Sequence, residues 1–430
     1  MTRPWIGISL LVLTSLATHP ALAADFSLSG FGTLGYARSD QDFNYQRFID
    51  NDGTLKRDSV AGLQADVKFS ENFGATVQVL AAPASNNDSR YEGTVAWAFL
   101  SWRPTNDWLI RLGRQRIPFY LYSQTYNVGV TYDFARLPTE MYSISPNNEL
   151  TGISASKNWE LENGDLTLDG YWGSSNANIR FWFRDGLPPT QPQGALFRPL
   201  GIKGGGLALS YKRKEDTFRV GFSRATISEK NASNSYPVTY PFVTLFPGVG
   251  YYQFDPSLPG PGVPAIDHYS FKTLTLGADV SVGGGFRVVS ELARSFVSQT
   301  DLSSQSVRGY ASVLKRLDKW TPYVTYAFLR SAPGPLNLHE NINYNTVPAF
   351  VPGSAQINAS QRAGADTILA FDQKAWALGT SYALSTTSML KAELMRVHIR
   401  RFSSMVDGPP GSNIRNQNIN VFSMSYNFTF

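Results

Sequence analysis

The side chains that could do chemistry in this sequence are mostly arginines and carboxylates, with few of the groups that catalysis uses. Cysteine is absent, which excludes a disulfide framework, a thiol nucleophile and a cysteine metal site. The four histidines are scattered, without the close spacing that a zinc site requires: His19, His268, His339 and His398. No Gly-x-Ser-x-Gly or Walker-type glycine motif occurs. We therefore predict no catalytic residue, no metal site and no cofactor.

Two groups of charged residues are close enough in sequence to act together. The first is a row of arginines near the end of a predicted strand: Arg111, Arg114 and Arg116. The second lies in the long segment that follows: Asp133, Arg136 and Glu140. Without a nucleophile or a metal, such groups act through charge. The arginines form either a cationic row that passes anions or a strand end that meets a charged surface, and Asp133 with Arg136 also fits a solvated surface pair.

The last ten residues show most clearly which elements position these charges. Aromatic and apolar residues alternate with small polar ones from Phe422 to Phe430. Successive side chains of a strand point to opposite faces, so one face is apolar and the other polar. The same alternation recurs along the chain and predicts sixteen strands: 26–38, 59–69, 73–81, 94–103, 108–116, 150–158, 165–172, 205–212, 217–228, 269–282, 286–298, 306–317, 321–330, 374–384, 388–400 and 418–430.

The connections between these strands alternate in length. Short turns are predicted at 70–72, 104–106, 162–164, 214–216, 283–285, 318–319 and 385–387. Long loops are predicted at 39–58, 82–93, 117–149, 173–204, 229–268, 331–373 and 401–417, with a short one at 299–305. A soluble sandwich has no reason to sort loop length by strand order, whereas outer-membrane barrels do so. The pattern predicts an all-β, transmembrane, antiparallel β-barrel.

Strand alternation also predicts which side chains face lipid. The predicted lipid-facing residues are apolar: Val95, Trp97, Phe99, Ile110, Leu112, Leu274, Leu276, Val280, Trp376, Leu378 and Tyr382. The opposite faces carry charges such as Asp66, Arg287 and Glu291. Burying an unpaired charge is costly, so a water-filled lumen is favoured over a dry core. The strand at 388–400 carries charges on both faces, which we interpret as a bulge near 394–395.

The first residues have the pattern of an export signal. Arg3 precedes an apolar run, and Ala21-Leu-Ala23 matches a small-x-small cleavage site. We predict a signal peptide at 1–23 and a single barrel domain at 24–430. No later stretch approaches the roughly 18 consecutive apolar residues of a membrane helix. The formal charge of +5 is too small to indicate a nucleic-acid partner.

Four features resemble the trimeric sixteen-stranded porins of Gram-negative bacteria. They are the signal peptide, the start at Phe26-Ser-Leu-Ser-Gly-Phe-Gly-Thr-Leu-Gly-Tyr36, the strand Trp108-Leu-Ile-Arg-Leu-Gly-Arg-Gln-Arg116, and the ending Ser-Tyr-Asn-Phe-Thr-Phe430. The resemblance implies a homotrimer in the outer membrane, in contact with lipid and lipopolysaccharide. It also implies assembly by the barrel-assembly machinery through Phe430, and passive diffusion of small hydrophilic solutes.

In that family the third external loop folds inside the barrel and sets its narrowest point. The resemblance places this loop at 117–149, so its constriction residues would be Asp133, Arg136 and Glu140. Facing them on the wall we expect some of five arginines: Arg38, Arg111, Arg114, Arg116 and Arg308. The family's Pro-Glu-Phe-Gly-Gly signature is absent, and Leu137-Pro-Thr-Glu140 matches it poorly.

The predicted function is therefore an outer-membrane channel, with weak anion preference and substrate selectivity both left open. Two alternatives remain. One is an outer-membrane barrel hydrolase, which would need a Ser–His or Asp–His set near the rim. The other is a plugged barrel acting as an adhesin or a structural anchor. The apolar segments 178–183 and 237–254 either fold over the mouth, pack on a neighbouring subunit or bind an aromatic ligand in a substrate-selective vestibule.

Overall fold

The computed structural model describes residues 25–143, 148–230 and 235–430, so the predicted signal peptide at 1–23 lies outside the described residues and remains a prediction. The described chain forms a closed barrel of sixteen strands, and the predicted fold is confirmed. The strands are β1 Asp25–Ser39, β2 Val60–Lys68, β3 Phe73–Pro83, β4 Tyr91–Trp102, β5 Trp108–Arg116, β6 Glu149–Leu161, β7 Gly164–Phe183, β8 Gly194–Arg213, β9 Asp216–Glu229, β10 His268–Gly283, β11 Phe286–Phe296, β12 Ser306–Lys315, β13 Trp320–Ser331, β14 Phe371–Ala383, β15 Ser388–Ser403 and β16 Gln417–Thr429.

The barrel closes because β1 pairs antiparallel with β16, for example Leu34 with Tyr426. Every other strand pairs with its neighbours in sequence. The predicted short turns all lie at one end of the barrel, and the longer connections lie at the other. We refer to the end with the long connections as the mouth. This segregation is typical of outer-membrane barrels, whose long loops face the exterior.

The two faces of each strand differ in polarity, and β16 shows this most simply. Met424 is 48% exposed on the outer wall, whereas Ser423 is 3% exposed and faces the interior. The outer wall carries exposed Leu112, Leu276 and Leu378 in the same way. Exposed apolar side chains over a whole wall are costly in water and favourable in lipid. The described strands thus have the outer surface of a membrane barrel.

Two local predictions about the strands were wrong. Trp97 and Phe99, predicted to face lipid, pair with the inward-facing Gln78 and Thr76. The β3–β4 register shifts beside Ala96, so the side chains that follow in β4 point to the opposite face from the predicted one. In β15 the register runs without a shift through Leu394, so there is no bulge near 394–395. The charges that alternation placed outside on β15 lie towards the mouth, beyond the apolar part of the wall.

The predicted loop at 173–204 is also shorter than expected. β7 and β8 pair continuously from Asp165 with Lys212 to Phe183 with Gly194, which leaves only 184–193 as a connection. The alternation of apolar and polar residues fades beyond Trp172 because the hairpin rises above the lipid-facing part of the wall. Backbone pairing does not need that alternation, so the strands continue.

The remaining elements fill or cover the barrel. They are a 3₁₀ helix Gly129–Thr131, three α-helices, α1 Thr139–Tyr142, α2 Pro333–Tyr344 and α3 Ser354–Asp366, and three short strand pairs, Asn44–Tyr45 with Val406–Asp407, Tyr236–Pro237 with Ala265–Ile266, and Phe242–Phe246 with Val249–Tyr252. None of the helices in the described ranges is long and apolar enough to cross a membrane.

Candidate channel interior

Residues 117–143, here called the inner loop, fold into the barrel and pack against its wall from β11 to β13. The contact is an aromatic cluster in which Tyr120, Phe134 and Tyr142 of the loop meet Tyr310 and Tyr323 of the wall. Phe134 lies edge-on to Tyr323, with ring centroids 5.2 Å apart. Tyrosine suits this position because its ring packs on the wall while its hydroxyl makes a hydrogen bond. The loop that the resemblance places inside the barrel therefore does fold there over its described residues.

Buried polar groups of the wall fix the loop in place. Glu291 accepts hydrogen bonds from the Tyr310 hydroxyl at 2.9 Å, from the Leu121 amide at 2.8 Å and from the Tyr142 hydroxyl. Arg308, 1% exposed, donates to the Tyr120 hydroxyl at 2.7 Å. Hydrogen bonds to the loop replace the hydrogen bonds that these wall groups would make to water, so the loop and the wall satisfy each other's buried polar atoms. Arg308, predicted as a lumen-lining residue, faces the interior but is covered by the inner loop.

A second set of anchors comes from β15. Lys391 donates to the backbone carbonyls of Gly129 at 2.7 Å and Phe134 at 2.8 Å, and its Nζ lies 4.0 Å from the centre of the Tyr132 ring. Glu393 accepts a hydrogen bond from the Tyr323 hydroxyl at 2.8 Å. Both side chains lie on the interior face of β15, where they are buried. A buried ammonium needs such carbonyl and ring partners to compensate for lost hydration.

The three loop residues predicted for the constriction have different surroundings. Asp133 lies near Arg287 of the wall at 3.2 Å and accepts a hydrogen bond from Ser381 at 2.8 Å. Arg136 makes an ion pair with Asp58. Glu140 is buried in α1 and accepts a hydrogen bond from Gln373 at 2.7 Å. Of the three, Asp133 is the loop carboxylate that faces a wall arginine.

Burial raises the pKa of Glu140, although the hydrogen bond from Gln373 acts in the opposite direction. Asp133 was expected to face one of the five predicted arginines, but the structure places Arg287 there. Arg287 belongs to the charges that strand alternation assigns to the interior of β11, so the signal for it was present in the sequence. Which inward arginine meets the loop depends on how the loop folds back.

The other predicted wall arginines divide between the two surfaces of the barrel. Arg111 pairs in register with Ser101 and Ser154 on the inner face, and its guanidinium lies 5.4 Å from the Phe99 ring. Arg116 is buried and approaches the Gln124 carbonyl of the inner loop at 3.4 Å. Both arginines therefore lie inside the barrel.

Arg114 and Arg38 lie on the outer faces of their strands. Arg114 shares a face of β5 with the exposed Leu112 and binds Glu149 at 2.8 Å. Arg38 lies opposite Phe422 in the register, on the lipid side of the wall. Strand alternation puts Arg38 on the same face as apolar neighbours and keeps it from the lumen. Arg114 shares the Glu149 carboxylate with the buried Arg116, which binds it at 3.2 Å, so the two arginines meet at the end of β5.

Two cavities of about 460 Å³ each lie beside the inner loop. The first, here called the wall cavity, lies along β6 to β10 and includes Tyr171, Ile202 and Phe271 in its lining. The second, here called the arginine cavity, includes Arg57 and Tyr126. Because the loop occupies the side of β11 to β13, open space remains on the opposite side of the barrel.

A cluster of four charged side chains lies beside these cavities, and two of its members are lining residues. Arg47 and Arg180 line both of them. Arg180 donates to Asp407 at 2.6 Å and to Asp88 at 3.0 Å, and Arg47 also binds Asp88. The cluster joins β7 to three mouth segments that are far apart in sequence, so sequence spacing gave no signal for it. Burial raises the pKa of Asp407, opposed by its hydrogen bond from Arg180.

The mouth is partly covered by α2, α3 and the connections at 184–193 and 404–416, together called the cap. Arg184 makes a buried ion pair with Asp366 of α3 at 2.7 Å, and it also donates to Asn343 of α2 at 2.7 Å and to the Ser412 carbonyl at 2.9 Å. One guanidinium therefore links three mouth segments. Its planar set of five donors suits this role better than a lysine would.

The buried ion pair predicts that mild acid tightens the cap. Burial raises the pKa of Asp366 from 3.8 to about 6, because loss of hydration outweighs the attraction of Arg184. When the cap opens, the carboxyl returns to water and its pKa falls towards 3.8. Between these two values the closed cap retains a proton that the open cap releases, so closure gains free energy as pH falls from 7 to 4. Asp407 shifts in the same direction.

Hydrogen exchange of the α3 amides, corrected for the intrinsic pH dependence, measures this effect. We expect slower exchange at pH 5 than at pH 7 in the native protein, and a smaller difference in Asp366→Asn. Faster corrected exchange at pH 5 would contradict the prediction.

Histidine positions bear on the hydrolase alternative. His398 lies on the outer face of β15 and contacts Asn418 at 3.0 Å, and His268 begins β10 at the mouth. His339 is buried in α2 against the Phe402 ring, with its pKa lowered to about 3 by burial and by nearby arginines. In the described residues no group of three or more His, Asp or Glu side chains could hold a metal ion.

Comparison with known proteins gives structural matches only. No protein-family model matches the sequence, and no curated protein matches it. A loop L8 deletion mutant of OmpT, an outer-membrane protein of Vibrio cholerae, matches with a TM-score of 0.52 and 12% identity, over 95% of this chain and 100% of that one. An anion-selective porin from Comamonas acidovorans matches with a TM-score of 0.51 and 10% identity, over 95% and 100% of the two chains. OprB of Pseudomonas putida has a TM-score of 0.51 and 10% identity, over 95% and 94%.

These similarities cover almost the whole of each chain. At identities of 10–12% they establish the fold and leave the solute open. The chain therefore has the sixteen-stranded β-barrel fold of the outer-membrane porins.

Proposed function

We propose that the protein is an outer-membrane porin, a water-filled channel for passive diffusion of small hydrophilic solutes and ions. The observation that supports this most is the combination of an apolar outer wall with two open, partly charged cavities inside a closed barrel. Lipid outside and water inside is the arrangement that a diffusion channel requires. We further propose that it assembles as a homotrimer, as the family resemblance implies.

We also propose a weak preference for anions. The arginine cavity is lined by Arg47, Arg57, Arg136 and Arg180, against one carboxylate, Asp58. Among the described residues Arg57 has no carboxylate within ion-pair distance, since Asp58 pairs with Arg136 instead. An uncompensated cation in a narrow aqueous space raises the local concentration of anions.

Single-channel recording in planar bilayers tests the channel and its preference together. The purified protein should give discrete conductance steps, and a salt gradient should give a reversal potential that favours anions. Arg57→Gln should shift the reversal potential towards cations. Arg213→Gln, which removes the same charge from the exposed end of β8 beside a short turn, is the matched control and should change it little.

The cap supports the second candidate, a barrel closed at its mouth that acts as an adhesin or a structural anchor. The same recordings separate the two functions. A protein that inserts into the bilayer without conductance steps, at pH 7 and above, would contradict the channel and favour the closed barrel. Unchanged selectivity in Arg57→Gln would contradict the anion preference alone.

A further inference from the structure

A third cavity lies at the mouth, under the cap. It has a volume of about 570 Å³ and lies between the β7–β8 hairpin, the segment 235–265 and the connections that follow β11 and α3. We call it the mouth cavity. Its walls are largely apolar: Phe181, Leu187, Tyr240, Phe254, Leu302 and Leu369. A volume in this range with mainly apolar walls is typical of a site for a small organic molecule.

The mouth cavity adjoins the wall cavity. Ile179, Tyr269 and Leu369 line both of them. A molecule held in the mouth cavity would therefore lie next to the open space beside the inner loop. This position is where a solute would pause before it passes further into the barrel.

Several hydroxyl groups in the lining lack partners among the described residues. The Tyr236 and Ser303 hydroxyls are buried without a hydrogen bond in the described part of the chain, and Ser303 is 5% exposed. Tyr240, by contrast, is satisfied by Thr367 at 2.6 Å. Buried hydroxyls without partners are uncommon because each one costs free energy. Neither the Tyr236 oxygen nor the Ser303 oxygen is accessible from the cavity in this conformation, so a hydrogen bond to a bound molecule requires the side chain to rotate.

The charges in the lining have both signs. Arg198, Glu229 and Asp255 line the cavity, and Arg198 lies 5.9 Å from the Phe181 ring. Within the described ranges none of the three has a salt-bridge partner. A carboxylate solute would be attracted by Arg198 but repelled by the two acids. The lining therefore gives no advantage to an anionic solute.

We propose that the mouth cavity binds an uncharged aromatic solute that carries a hydrogen-bonding oxygen. The ring packs on Phe181, Phe254 and Leu302, and the oxygen bonds to the unpartnered hydroxyls of Tyr236 and Ser303. Delivery of such a solute into the barrel rests on the proposed channel function. Binding does not, because it needs only the folded mouth.

Isothermal titration calorimetry on the purified full-length protein in detergent, with titration into detergent alone subtracted, tests the site. The probe is 4-hydroxyacetophenone. Two comparison compounds change one property each, since 4-hydroxybenzoate adds a negative charge and ethylbenzene lacks oxygen. We expect the probe to bind most tightly of the three. Ala265→Trp, which fills the cavity from the strand pair at its edge, should abolish binding of the probe.

Hydroxyl removal provides the sharper test. Tyr236→Phe should weaken probe binding by roughly five- to tenfold, the value of one hydrogen bond, without lowering thermal stability because the hydroxyl has no protein partner. Tyr211→Phe, at the opposite end of the barrel, is the matched control and should leave binding unchanged.

Two results would overturn the proposed site. One is binding of the probe that survives both Tyr236→Phe and Ala265→Trp. The other is tighter binding of either comparison compound. If the probe binds as expected but bilayers show no conductance, the channel proposal fails and the site remains. If bilayers show conductance but the probe does not bind, the proposed site fails and the channel proposal remains.

Discussion

Asp366→Ala is expected to release the cap and to increase both the mean conductance and the current noise of the channel. The substitution removes the oxygens that accept hydrogen bonds from the Arg184 guanidinium at 2.7 Å and from the Arg184 amide at 2.9 Å. A protonated Asp366 still offers an acceptor, whereas alanine offers none, and only the links of Arg184 to α2 and to Ser412 remain. Breaking a buried ion pair by removing one partner costs about 3–5 kcal/mol. That cost falls on the closed arrangement of the mouth, since the barrel strands do not depend on this pair.

A second ion pair in the cap gives a matched control. Arg401 binds Glu340 of α2, and both side chains are partly exposed. Glu340→Ala should change the conductance little, because an exposed pair contributes about 0–1 kcal/mol. Replacing both members of the buried pair, Arg184→Met with Asp366→Leu, should restore much of the closed state, since no buried charge is then unpaired. Equal conductance in native protein and Asp366→Ala would contradict this role.

Glu291→Ala is expected to detach the inner loop from the wall. The substitution removes the acceptor of two tyrosine hydroxyls, Tyr142 and Tyr310, and of the Leu121 amide. Each donor left unsatisfied in this buried position costs about 1–3 kcal/mol, and the substitution leaves three such donors. The loop should then sample positions away from the wall, and single-channel currents should become noisier and less uniform.

Limited proteolysis within 117–143 should also become faster in Glu291→Ala. Arg294→Ala is the control, because Arg294 belongs to the same strand but lies exposed on the outer face. Arg308→Met should act in the same direction as Glu291→Ala by removing the donor to Tyr120. A Glu291→Ala channel with native noise and native protease resistance would show that aromatic packing alone holds the loop.

The inner loop and the cap are held in place in different ways. The inner loop combines an aromatic cluster with buried carboxylates and cations of the wall, so packing and hydrogen bonding reinforce each other. The cap depends more on one guanidinium that joins three segments. The cap should therefore be sensitive to the loss of this one ion pair.

The sequence by itself determined the barrel. Each strand needs only alternation of apolar and polar residues and a turn at the right end, and both signals are local. The strand count, the short turns and the interior position of Glu291, Arg287 and Arg308 were therefore accessible without a structure. Trp97 and Phe99 show where the rule fails, since one extra residue in β4 reverses every following side chain.

The tertiary structure alone decided which interior charges meet. Asp133 faces Arg287 and not the arginines of β5, because the inner loop folds towards β11 to β13. The cluster of Arg47, Asp88, Arg180 and Asp407 joins segments separated by up to about 360 residues in sequence, and no local pattern encodes such proximity. Strand alternation fixes whether a side chain points into a barrel, but loops that fold back over the lumen choose its partner, and their path depends on packing across the whole interior.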